Sequence, residues 1–175
     1  MVDAAQHSTT ADGALTGHGH PSSGSGQTQT AGSSTVRAAV ISMGTELFTI
    51  DLKSVREVFV VESITPVPGM PSGLVGVTNL RGTVIPLLDL RPMFGLDAEA
   101  ALQYVVVVQH GNWQVGVMVD TVPEIRTIAK DEFLPAPAGT EDGAFPFVST
   151  VVKLEDRLRG VLETSMVLSH FEGRN

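Results

Sequence analysis

Hydrophobic and polar positions along this chain fall into two regimes that meet near Thr35. From Met1 to Thr35 the residues are mostly Ala, Ser, Thr, Gly, Gln and His, with Leu15 almost alone as a bulky apolar side chain and Asp3 and Asp12 as the only charged groups. Such a stretch cannot bury enough apolar surface to offset the entropy of ordering it, so residues 1–35 are expected to form a disordered tail. From Val36 to Phe171 short apolar runs alternate with Gly- and Pro-containing breaks, the pattern of short strands joined by tight turns. Helical periodicity is weak, and the two helical candidates are the segment near Lys53 to Val58 and the closing stretch Glu163 to Phe171. A single domain over 36–172 is the expected folded unit.

That domain carries an internal repeat. Ala38 to Val58 can be laid on Val105 to Ile125 without a gap at an offset of 67 residues, which places Gly44 on Gly111, Ile50 on Val117, Glu57 on Glu124 and Val58 on Ile125. Further on, Asn79 to Asp89 matches Lys153 to Glu163 at an offset of 74, so the second copy holds about seven extra residues, expected around Glu141 to Gly143. Each copy reads as strand, glycine turn, strand, a Val-x-Glu-Val/Ile segment, a connection and a further hairpin. Gly44, Gly111 and Gly82 supply the positive φ that tight hairpins need. A unit this small barely sustains its own core, so the two copies are expected to share an apolar layer, with the seam between them as the natural place for a partner. The fold class is mainly β: short strands at close spacing argue for small barrels or sandwiches, with a short C-terminal helix.

Composition narrows the function. Of 175 residues 42% are hydrophobic and 17% charged, and 11 basic against 19 acidic residues give a net charge of −8, which repels polyphosphates and argues against a nucleic-acid partner. The absence of cysteine removes disulfides, thiolate nucleophiles and Cys-based zinc sites. No stretch approaches the ~20 apolar residues that span a bilayer, and the N-terminus lacks a basic region followed by an apolar core. A cytoplasmic protein without direct membrane insertion is the expectation.

Candidate chemistry is sparse. Phosphate-binding glycine loops, zinc-protease helices and nucleophile elbows are missing. His18 and His20 have no carboxylate or thiolate beside them, and no metal or other cofactor is expected. His110 falls at a strand end and His170 in the closing helix, without a serine or carboxylate at a diagnostic spacing. Glu141-Asp142 and Glu155-Asp156 read as solvated acids on loops, and Ser149, Thr150 and Ser165 lack an activating base. A small β-barrel hydrolase is the alternative from a different class, and it would need acids converging in the inter-barrel groove. The sharper feature is Arg81, a rigid forked donor beside Gly82 at a turn, where it either projects toward a partner or pairs internally with Asp89 or Glu57. Pro66, Pro68 and Pro71 stiffen the connection that precedes it.

These residues carry a resemblance. GVTNLRGTVIPLLDLRPMFGL (Gly76 to Leu96) resembles the signature Gly-Val-Ile-Asn-Leu-Arg-Gly-x-Val-Ile-Pro-x-x-Asp-Leu-Arg of the CheW family, the coupling proteins of bacterial chemotaxis. Val55-Arg56-Glu57-Val58, ITPVPGMP and VMVDTVPEI (Val117 to Ile125) are similar to further elements of that family, in the same order, and the likeness runs from about Val36 to Phe171. It implies a pair of five-stranded SH3-like barrels and a scaffold without catalytic activity. Such a scaffold joins the regulatory domain of a chemotaxis histidine kinase to the cytoplasmic tip of chemoreceptors, and is recruited through these partners to membrane-bound receptor arrays. A chemotaxis-like pathway controlling twitching motility, development or gene expression is the alternative setting. The partner-binding positions implied are Glu57, Val58, Asn79, Arg81 and Gly82. Thr78 departs from the signature where an apolar residue is usual, and the second copy diverges at Ser149 to Val152 and Val161 to Glu163.

Overall fold

Valine-rich alternation fixes the strands, because β-branched side chains stand well on a pleated surface and period two places every other one inward. The computed structural model describes residues 34–98, 101–138 and 145–172. The tail reading and the pair Glu141-Asp142 with its insertion fall outside the described residues, the tail except for its last two positions. Eleven strands and one helix are described: β1 Thr35–Met43, β2 Glu46–Asp51, β3 Val55–Val60, β4 Leu74–Leu80, β5 Thr83–Leu88, β6 Tyr104–His110, β7 Trp113–Val119, β8 Glu124–Ala129, β9 Phe133–Pro135, β10 Val148–Leu154, β11 Arg157–Leu162 and α1 Thr164–Glu172. The closing helix forms as its sequence suggests. The other helical candidate does not: Leu52–Ser54 makes one 3-10 turn, and Val55–Val60 is strand β3. Val55 and Val58 pair with Val108 and Val106 of β6 and Val60 with Tyr104, so a sheet partner outweighs a helical propensity that three valines in six residues keep low.

The two copies repeat strand for strand. β4 and β5 recur 74 residues later as β10 and β11 with identical limits, and the register shift between Leu74 and Gly76 recurs between Val148 and Thr150. The pair Phe59–Val105 has its counterpart in Arg126–Ala38, and Thr78–Ile85 in Val152–Arg159. Neither copy, however, closes on itself. One sheet runs β8-β1-β2-β11-β10-β9 and the other β3-β6-β7-β5-β4. Each therefore joins the first hairpin of one copy to the later strands of the other, through the antiparallel pairs β1–β8 and β6–β3 on one side and the parallel pairs β2–β11 and β7–β5 on the other. The short β9 adds a sixth strand to the first sheet. Its counterpart in the other sheet is a single bridge between Thr65 and Val77.

Three apolar layers follow from this exchange. The largest lies between the sheets and draws Ile41, Phe48 and Leu162 from one, Leu88, Val106 and Val117 from the other, and Val167 and Leu168 from α1. This is the shared layer the repeat called for. Inside the β3–β7 barrel, Ile85, Leu87, Val105, Val107 and Met118 pack with Phe59 and Leu80. That filling leaves no room at Gly116, where a Cβ would stand 2.5 Å from Val105 Cγ1 and 2.8 Å from Leu87 Cδ2. The other barrel encloses less: Ala38, Ile128 and Val152, with Phe133, Leu154 and Val161 partly buried around them.

Candidate functional site

Asn79 and Gly82 build the hairpin that carries Arg81. Leu80 pairs with Thr83, so Arg81 and Gly82 alone make the turn, with φ of 51° and 89°. Two successive positive φ values match the right-handed strand twist, and at the second position glycine carries no Cβ penalty. The Gly82 N–H donates to Asn79 Oδ1 at 2.7 Å and locks the loop. Arg81 is then held 78% exposed, with its Nη1 2.8 Å from Glu57 Oε2 on β3. Because β3 and β4 are the two ends of the strand order, this ion pair joins the edges of the barrel.

The structure thus brings Glu57, Asn79, Arg81 and Gly82 to one end of the barrel. Val58 stands apart from them. Its neighbour in the chain, Glu57, is opposite Val107 of the barrel interior, whereas Val58 is opposite Val106 and faces the side of the other sheet, exposed beside Val60. Of the two internal partners weighed for Arg81, Glu57 is the one engaged. An exposed pair of this kind stabilises a fold by about 0–1 kcal/mol, too little to explain the turn as a stability device.

Asp89 is committed elsewhere, to a buried junction that reading the residues one by one does not show. Arg91, 4% exposed, directs Nε and Nη2 at the two Asp89 oxygens at 3.0 and 2.9 Å, and its Nη1 lies 3.8 Å from Asp120 Oδ1. Asp120 in turn accepts from the Gly44 N–H at 2.6 Å, and its own N–H donates to the Ser42 carbonyl. The junction ties the end of β5 and the β7–β8 connection to the β1–β2 turn of the other sheet. Hydrogen bonding to Asp89 raises the Arg91 pKa above its ordinary value, against the opposing effect of burial, so the cation persists throughout the accessible pH range. The Asp-Leu-Arg and Val-Asp elements of the signature are therefore architectural here. The spacing of Asp89 and Arg91 alone could have suggested a local pair, but nothing in it points to Asp120.

The remaining candidates do not converge on one another. His110 is exposed at the end of β6, and His170 packs edge-on against Phe147 and Phe171. Glu155 lies 3.4 Å from Arg126, Asp156 lies 3.2 Å from Lys153, and Ser149 hydrogen-bonds Glu163 at 3.0 Å. Among the described residues no three His, Asp or Glu side chains are placed to hold a metal, and no helix is long and apolar enough to cross a membrane.

This arrangement can be set beside known proteins. The family model for the CheW-like domain matches residues 37–172. The chain belongs to the CheW-like family. It is 32% identical over 127 residues to the chemotaxis protein CheW of Rhizobium meliloti, a match covering 71% of this chain and 82% of that protein. The crystal structure of the scaffolding protein TtCheW from Thermoanaerobacter tengcongensis superimposes with a TM-score of 0.67 at 29% identity, covering 74% of this chain and 89% of that one. Protein FrzA of Myxococcus xanthus is 37% identical over 95 residues, covering 53% of this chain and 59% of its own length. The exchanged two-barrel body is thus a CheW-like domain.

Proposed function

We propose that this chain couples chemoreceptors to a chemotaxis histidine kinase, contributing two docking faces on one rigid body and no chemistry of its own. The observation that carries this reading is the Arg81 turn. A guanidinium fixed by Glu57, on a loop locked by Asn79 and Gly82, is prepaid in conformational entropy and presents its remaining donors outward. Glu57, Asn79, Arg81 and Gly82 form the end that meets the kinase regulatory domain or the receptor tip, and Val58 extends contact along the neighbouring face. The body is residues 36–172, with 1–35 dispensable for folding, and the protein works in the cytoplasm at receptor arrays to which its partners recruit it. Coupling then acts through the two interfaces: receptor state biases the kinase because both engage the same rigid frame.

The test is reconstitution. Kinase and receptor vesicles are combined with and without the full chain, and kinase autophosphorylation is followed. Stimulation that requires all three components is expected; the same rate without the chain contradicts the proposal. A second reading draws on the likeness to FrzA and, at 29% identity over 115 residues, to PilI of Pseudomonas aeruginosa. In that reading the chain serves a chemotaxis-like pathway with another output, such as twitching motility, development or gene expression. Pairing the chain with kinases of each pathway type in the same assay separates the two.

A further inference from the structure

The two barrels are register-matched yet filled differently. In the β3–β7 barrel the inward positions Phe59, Leu80 and Ile85 are apolar and close the core. Their counterparts in the other barrel are Arg126, Leu154 and Arg159. Arg126 is opposite the buried Ala38, and Arg159 opposite the buried Val152, so both arginines stand on the interior face of their strands. Where the first barrel holds aromatic and aliphatic carbon, the second has a cavity of about 190 Å³ walled by Val40, Leu47 and Leu154, with Arg126 and Arg159 and the acidic Glu124 and Glu155 on its lining.

The two cations are not equally satisfied. Arg126 is half exposed and held by Glu124 at 2.7 Å and Glu155 at 3.4 Å. Arg159 is only 13% exposed, and its ion partner, Glu46, lies 4.0 Å away. That distance is too long for a hydrogen bond, and the guanidinium makes none to the described residues. The guanidinium nitrogens still reach solvent through the cavity, and an anion entering there meets a charged fork of donors with no close protein acceptor. Glu124 and Glu155 are turned to Arg126, which leaves Arg159 as the open donor of the cavity.

We propose that the mouth of this barrel binds a small carboxylate, which accepts from the Arg159 guanidinium while its short aliphatic body lies against Val40, Leu47 and Leu154. A cavity of about 190 Å³ has room for a short-chain acid. Either a free acid or one acidic side chain inserted by a partner supplies this chemistry. The site is independent of the Arg81 end and can be tested without kinase or receptor.

The experiment is an NMR titration of the full chain with sodium butyrate, with n-butylammonium chloride and butan-1-ol as matched probes. Saturable shifts of the Val40, Leu47 and Leu154 methyl signals are expected with butyrate, with a Kd of about millimolar, and none with the ammonium or the alcohol. Arg159→Met, checked for an intact spectrum, should weaken butyrate binding at least tenfold, and Arg159→Lys should recover part of it. Titration with acetyl-Gly-Glu-Gly-amide separates the two sources: binding as tight as butyrate assigns the pocket to a partner's side chain, and no binding beside saturable butyrate assigns it to a free acid. The proposal is overturned if neither carboxylate saturates, if butylammonium shifts the same signals equally, or if the folded Arg159→Met chain binds butyrate as the native one does. Probe selectivity is read on the unmodified chain, so the answer does not depend on a variant folding.

Discussion

Arg91→Met removes the guanidinium at the junction of the two sheets while keeping an unbranched side chain of similar reach. The loss can be worked from the contacts. Asp89, with a side chain 12% exposed, forfeits two charge-assisted hydrogen bonds at 2.9–3.0 Å and keeps only the Arg91 backbone N–H. Asp120 loses its opposite charge, and its Oδ1 is a buried atom without a hydrogen-bond partner. Stripping one member from a buried pair costs about 3–5 kcal/mol, because the other charge stays desolvated. The lower end applies here, since the Asp120 side chain is 21% exposed and water can reach part of it. A loss of ~3 kcal/mol corresponds to roughly 10 °C in Tm for a domain of this size. Urea denaturation followed by circular dichroism measures it directly. Combining Asp89→Asn with Arg91→Met should return part of the loss, because the amide no longer needs a cation and still accepts from the backbone. A loss under about 1 kcal/mol for Arg91→Met would show that water compensates the carboxylates and that the junction does not tie the sheets together.

Three further outcomes follow from the packing. Gly116→Ala places a methyl group inside the filled barrel and should cost about 1–3 kcal/mol by denaturation, whereas a neutral result would mean that Val105 and Leu87 yield freely. Asp156→Gly relieves a φ of 59° on a non-glycine residue in the β10–β11 turn and should stabilise by about 0.5–1 kcal/mol; a lower Tm would contradict the strain reading. A chain beginning at Ser34 should melt within about 2 °C of the full one, and a clearly lower Tm would show that the preceding residues support the fold.

Much of this architecture is legible in the sequence because the repeat is. The offset of 74 alone places β10 and β11, and glycines at 44, 82 and 111 mark the turns, since their conformation is a local property. Local likeness does not say which hairpin closes which barrel. A self-closed and an exchanged arrangement keep the same hairpins, and only the pairs between copies decide between them: antiparallel β1–β8 and β3–β6, and parallel β2–β11 and β7–β5, the strands of β2–β11 lying more than a hundred residues apart. The exposed pair of Arg81 with Glu57 could be named as one of two options, because a turn and a nearby strand offer few partners. The motif names Val58 beside Glu57 without saying that strand alternation turns the two to opposite faces. The polar mouth of the second barrel was readable in principle: laying Arg126 on Phe59 and Arg159 on Ile85 puts charge at two inward positions. Alternation in β8 and β11 is too irregular to mark which face is inward.

The central claim is that Arg81 serves a partner and not the fold. Isothermal titration of the kinase regulatory domain with the native chain and with Arg81→Ala, alongside their melting curves, tests it most directly. The Tm should change by no more than about 2 °C, in keeping with an exposed ion pair. Affinity should fall by roughly 2 kcal/mol or more, about thirtyfold. Unchanged affinity in the folded variant, or a large drop in Tm with binding retained, would contradict the account and leave Arg81 as the internal partner of Glu57.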